Sequence, residues 1–157
     1  MQPLLYAAKR NSPALVHILL EAGADAESKN GLGESALWEA VCHDNTEIAK
    51  LLLERRADPN LQTNDKRTML RSAVQKQSKS MASMLLEHEA HPNVKNEKGE
   101  TPLFDAVKMI NNEIAQLLLQ NEACVDAQDE VGDTVLFLAV RGQFLPMTTF
   151  LLSKGAD

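Results

Sequence analysis

Three short stretches carry the residues that could do chemistry. Residues 88–91 read His-Glu-Ala-His, two imidazoles and a carboxylate of the kind that hold a divalent metal. A zinc-binding helix needs its histidines four apart, so that both project from one face. Here they are three apart, and Pro92 takes His91 into a turn. No metal or other cofactor is expected. Residues 31–35, Gly-Leu-Gly-Glu-Ser, have the glycine spacing of a phosphate-cradling loop. They lack the preceding strand and following lysine that such a loop uses. Cys42 and His43 pair a thiol with a base. Adjacent helical residues diverge by about 100°, so a catalytic dyad is not formed this way. No Ser-His-Asp or paired-carboxylate pattern stands out, and the chain is expected not to be an enzyme.

The elements around these residues repeat. Residues 101–107 read TPLFDAV, residues 134–140 TVLFLAV and residues 68–74 TMLRSAV, each 33 apart. Ala24, Ala57, Ala90, Ala123 and Ala156 keep that interval, as do Leu4, Leu37, Leu70, Leu103 and Leu136. So do Ala7, Ala40, Ala73, Ala106 and Ala139, and an apolar triplet recurs at 18–20, 51–53, 84–86, 117–119 and 150–152. A fixed period in this range marks stacked supersecondary units.

Each unit reads as two short helices. In the fourth, Thr101 suits an N-cap and Pro102 the first turn, where a missing N–H costs nothing. Leu103, Ala106 and Val107 then share one face, Asn111 and Asn112 break the helix, and a second runs from Glu113 to Gln120. A polar connection with turn residues follows. Neither helix can bury its apolar face alone, so the units must stack into an elongated, curved array. Cys42 falls in the second unit and Cys124 in the fourth. That separation exceeds the roughly 7 Å reach of a disulfide, and both are expected free.

Composition agrees with a folded, non-membrane chain. The 157 residues are 44% hydrophobic and 24% charged, with no apolar run of the roughly 18 residues that spanning needs. Few aromatics, 4%, leave the core to Leu, Ala, Val, Ile and Met. A net charge of −6 argues against nucleic acid. Two cysteines make no disulfide framework, and the N-terminus lacks a signal-peptide pattern, so an intracellular, cytoplasmic location is expected.

On these motifs, with GETPLFDAV and LLLQNEACVDAQD as the best copy, the chain resembles an array of ankyrin repeats. The resemblance implies an all-α solenoid of stacked helix-turn-helix units with projecting hairpin-like fingers. The five units lie at 1–29, 30–62, 63–95, 96–128 and 129–157, a single domain expected to belong to a longer array. It also implies a monomeric, non-catalytic module that binds a protein or peptide through a concave face of fingers and inner helices. The alternative is a spacer between domains that act elsewhere.

Several positions depart from the family pattern. Where the family places His after Pro-Leu, this chain has Leu5, Trp38, Arg71, Phe104 and Phe137. Glycines that usually end the first helix are replaced by Asn11, Asp44, Gln77, Ile110 and Gln143. Those before Ala-Asp survive only as Gly23 and Gly155, with Arg56, Glu89 and Glu122 elsewhere. If these positions need positive φ, each substitution costs about 1 kcal/mol. The third unit is Met-rich, with Met69, Met81 and Met84, and is expected to be the least stable internal one.

By position, the finger side carries six acids and two bases, and the helix side Lys9, Arg10, Lys76, Lys108 and Arg141 with no acid. These two strips either screen each other or orient a ligand. The residues expected to meet a partner are Trp38, His43, Arg71, Lys76, Phe104, Lys108, Met109, Phe137 and Arg141. The aromatic ones serve as anchors if they are exposed.

Overall fold

A computed structural model describes residues 2–157. The described residues form ten α-helices and no named strand. In chain order they are α1 Pro3–Lys9, α2 Pro13–Glu21, α3 Ala36–Cys42, α4 Thr46–Glu54, α5 Met69–Gln75, α6 Lys79–Glu87, α7 Pro102–Lys108, α8 Asn112–Gln120, α9 Val135–Arg141 and α10 Leu145–Ser153. The odd-numbered helices open each repeat, and their N-caps are Gln2, Ser35, Thr68, Thr101 and Thr134, one full period apart.

One hydrogen-bonded device joins the two helices of every repeat. After α7, the Ile110 N–H donates to Val107 and the Asn111 N–H donates to Ala106. This is the Schellman closure, which satisfies two orphan carbonyls and requires a left-handed residue at the first position past the cap. Asn111 then accepts from the Ile114 N–H at 3.0 Å and so caps α8. A single residue thus ends one helix and starts the next. Asn45 and Ser78 act in the same way. The second helices close likewise, with Ala57, Ala90, Ala123 and Ala156 donating to the carbonyls five residues back. Those alanines are buried, which accounts for their strict period.

The positions where glycine is usual do take positive φ. Asn11, Asp44, Gln77, Ile110 and Gln143 lie at 53 to 57°, and Arg56, Glu89 and Glu122 at 63 to 67°. The conditional cost of about 1 kcal/mol each therefore applies. It is greatest at Ile110, since a β-branched residue is an outlier there, and least at Asn11 and Asp44, whose short polar side chains tolerate the region.

The sequence reading of Thr101 needs correcting. It occupies the N-cap position of α7, but its hydroxyl makes no capping bond and is buried without a partner among the described residues. Ser35, Thr68 and Thr134 do accept from the N–H three residues on. The second helix of that repeat also begins at Asn112, one residue earlier than expected.

Residues up to Ala90 form one compact unit and His91–Asp157 another. In the first, α1 packs on α2 and α3, α3 on α4 and α5, and α5 on α6, while α2, α4 and α6 line up beside one another. In the second, α7 packs on α8 and α9, and α9 on α10. The cores are the alanine and leucine series. Ala7, Ala40, Ala73, Ala106 and Ala139 are all buried, their small side chains permitting close helix approach.

Between repeats the chain makes a tight finger turn. Asn30 accepts through Oδ1 from the Leu32 and Glu34 N–H groups, Asn96 from Lys98 and Glu100, and Asp129 from Val131 and Asp133. Gly33 and Gly99 stand at positive φ in these turns. A Cβ on Gly33 would lie 2.7 Å from the Asn64 Oδ1, and one on Gly99 2.7 Å from the Glu130 nitrogen, so glycine is required twice over. The finger that opens the third repeat differs. Thr63 replaces Asn and accepts only from Arg67, and Lys66 holds the positive φ at 57°.

Candidate recognition face

Finger turns and first helices share one side of each repeat, and the expected partner-facing residues map onto it unevenly. Trp38 and Phe104 are 3% and 1% exposed. Exposure was the condition for an anchor, and neither ring meets it. Both fill the space where the first helices pack, which follows from their place one step from the buried leucine series. Trp38 is roofed by the Arg67 guanidinium, 5.0 Å from the ring centroid. Phe137, at the same repeat position, is 49% exposed and meets the condition. The Arg141 guanidinium lies 5.6 Å from its centroid. Arg71 is half-buried, and Met109 is the half-buried C-cap of α7. His43 is the exposed C-cap of α3, its Nδ1 2.9 Å from the Glu39 carbonyl oxygen and 3.8 Å from the Glu39 carboxylate.

The two charge strips resolve differently along the chain. Lys108 Nζ lies 2.5 Å from Glu100 Oε1, and Arg141 is 3.2 Å from Asp133. In both, the base sits eight residues after a finger acid of its own repeat. The positive charge expected to be unopposed at Lys108 and Arg141 is therefore opposed within the fold. About two turns of helix and the finger bring the two side chains together, and water on one side keeps the pairs weak. The spacing was readable from the sequence, since Glu100 and Asp133 precede Lys108 and Arg141 in the same register.

The pattern breaks in the first unit. Glu34 keeps the acid and accepts from Asn30 Nδ2 at 2.8 Å, as Glu100 does from Asn96, but Cys42 stands where the base would. One repeat on, the acid is replaced by Arg67, which reaches Asp65 at 3.6 Å as well as the Trp38 ring. Lys9, Arg10 and Lys76 are exposed, and their side chains have neither an ion pair nor a hydrogen bond among the described residues. From Lys66 to Lys79 the chain places five bases and no acid.

Cys42 is half-buried and, like Cys124, free. Burial and the nearby Glu39 carboxylate push its thiol up, against the smaller opposing pull of Lys76 and Arg67. It is a poor nucleophile at neutral pH. His88 is the C-cap of α6, and no three His, Cys, Asp or Glu side chains converge as a metal-holding group among the described residues.

A cavity of about 340 Å³ opens at the start of this face, between α1 and the 29–31 turn. Leu5 and Tyr6 form its apolar wall, Lys9 and Lys29 bring ammonium groups, and Glu39 supplies a carboxylate. Lys29 and Tyr6 were not singled out from the sequence. Their convergence depends on how the finger folds back on α1.

The helix pair, the finger and the period have a counterpart among known proteins. The family model for ankyrin repeats (3 copies) matches residues 4–96 and 90–157. The chain belongs to the ankyrin-repeat family, whose members are generally protein–protein interaction modules and typically not enzymes. No curated protein matches it. No helix among the described residues is long and apolar enough to cross a membrane.

Proposed function

We propose that the five repeats act as one non-catalytic recognition domain. It holds a protein or peptide partner against the face shared by fingers and first helices, the face expected to be concave. The observation that carries this reading is the exposed, unpaired set Lys9, Arg10 and Lys76 on that face. Charges held without an internal partner contribute little to folding and are available for orientation and association rate. Exposed Phe137 adds apolar area on the same side of its own repeat. A monomer in a reducing, intracellular setting fits the two free thiols.

The test is capture of partners from a cell extract, followed by affinity measurement on purified variants. Lys76→Glu and Phe137→Ala weaken binding of the captured partner. Lys50→Glu and Gln116→Lys, on the second helices, leave it unchanged. Loss of binding only with the second pair would move the site to the opposite side. The alternative, an inert spacer, draws on residues 91–157, where Lys108 and Arg141 are neutralised internally. It predicts that no variant in either set changes capture.

A further inference from the structure

We propose that the face of the first unit takes an acidic, extended peptide segment, seated in the cavity beside α1 and continuing toward Arg67 and Lys76. The inference rests on the recognition reading above and adds the site and the chemistry of the ligand. Four observations converge on it. The cavity is of ligand-binding size, about 340 Å³, with an apolar wall of Leu5 and half-exposed Tyr6. Lys9 and Lys29 flank that wall and have no ion pair or hydrogen bond among the described residues. Lys76 and Arg67 lie near Cys42, which stands one period after Lys9, so cations recur along the stacked first helices, beside the Glu39 and Glu34 carboxylates that also reach that position. Finally, the pairing that neutralises Lys108 and Arg141 is absent here: Cys42 stands where a base would face Glu34, and Arg67 occupies the next acid position.

The charge distribution also orients the ligand. Glu39 contributes the one carboxylate of the cavity lining. It repels an anion placed beside it and favours a hydrogen-bond donor, such as a peptide N–H. An extended segment satisfies both demands. One apolar side chain covers Leu5 and Tyr6, a backbone N–H meets Glu39, and flanking carboxylates meet Lys9 and Lys29. A basic segment would place its charges against the four cations, and an uncharged one would leave them unused.

The experiment is fluorescence anisotropy with two labelled, blocked peptides on the whole chain at low ionic strength. One is Glu-Glu-Leu-Glu-Glu and the other Lys-Lys-Leu-Lys-Lys. The acidic peptide binds saturably and the basic one does not. Binding weakens about threefold for Lys76→Glu and about tenfold for Lys9→Glu with Lys29→Glu, the sum of exposed-pair terms. Lys154→Glu, on the other unit, leaves it unchanged, and added salt weakens the wild-type complex. Circular dichroism checks folding, and Lys9→Gln with Lys29→Gln provides a milder pair that must still weaken binding. Equal binding of both peptides, no binding of the acidic one, or insensitivity to the Lys9 and Lys29 changes would overturn the proposal. If the basic peptide binds instead and is lost with Glu34→Lys or Asp65→Lys, the recognition face stands and only its acidic ligand falls.

Discussion

In residues 91–157, five Lys and Arg stand against ten Asp and Glu; in residues 1–90, eleven stand against twelve. The second unit also uses most of its few cations internally. Lys108 and Arg141 pair with finger acids, Lys95 donates to the Gln128 carbonyl, and Lys154 lies over Phe150. In the first unit, the side chains of Lys9, Arg10, Lys29, Arg56, Lys66 and Lys76 make neither ion pair nor hydrogen bond among the described residues. The same helix pair and finger are built twice over, so this difference is not imposed by the fold. It shows that an ankyrin-type scaffold leaves surface charge free to vary once the alanine and leucine series are in place.

Backbone conformation separates repeats in the same way. The third repeat is the one in which Lys66, Gln77 and Glu89 all hold positive φ, with no glycine at any of the three positions. The side-chain oxygen of its finger turn also accepts from a single backbone N–H where those of the others accept from two. Introducing Lys66→Gly, Gln77→Gly and Glu89→Gly together should raise unfolding free energy by roughly 2–3 kcal/mol, read by urea denaturation. In the parent chain, amides of α5 and α6 should exchange with deuterium before those of α7 and α8. Equal protection would remove the distinction.

A single-site contrast sharpens it. Thr68→Val removes a capping acceptor and should cost about 1 kcal/mol. Thr101→Val removes a buried hydroxyl with no partner and should be neutral or slightly stabilising. Equal losses in thermal denaturation would mean that Thr101 caps α7 after all. Within the second unit, Ile110→Gly should stabilise by about 1 kcal/mol and Asn11→Gly in the first by only a few tenths.

The smallest effect is chemical. Cys124 is exposed and should react with iodoacetamide before Cys42, which is half-buried and has its thiol pushed up. Because the folded value exceeds the unfolded one, the stability linked to Cys42 is full below its ordinary range. It declines as pH rises through the raised value. Mass spectrometry of partially alkylated protein reads the order of reaction, and Cys42 reacting first would contradict the assignment.

Much of the fold was legible because it is periodic. All five first-helix caps fall where the 33-residue interval puts them, although only Ser35, Thr68 and Thr134 cap through their side chains; the buried alanine series is what holds the period. The site was less legible. Trp38, Phe104 and Phe137 share one repeat position, yet two are buried and one is half-exposed. Exposure there depends on the neighbouring helix rather than on residue type. The pairing of Lys108 with Glu100 lay in the eight-residue spacing, but grouping residues into strips treated facing charges as separate surfaces. The cavity at Tyr6 and Lys29 had no local signal, because a loop and a helix from different repeats make it.

The most direct test measures binding and stability together for Lys76→Glu and Lys108→Glu. Lys76 has no internal ion pair among the described residues, whereas Lys108 holds a largely buried carboxylate. The expected result is that Lys76→Glu slows association with the captured partner and leaves the melting temperature unchanged. Lys108→Glu should lower the melting temperature by a few degrees, the shift produced by about 1 kcal/mol or less in a domain of this size. Once refolding is verified, it should leave the association rate nearly as it was. The opposite pattern, with Lys108→Glu impairing association and Lys76→Glu only destabilising, would contradict the assignment of recognition charge to the first unit.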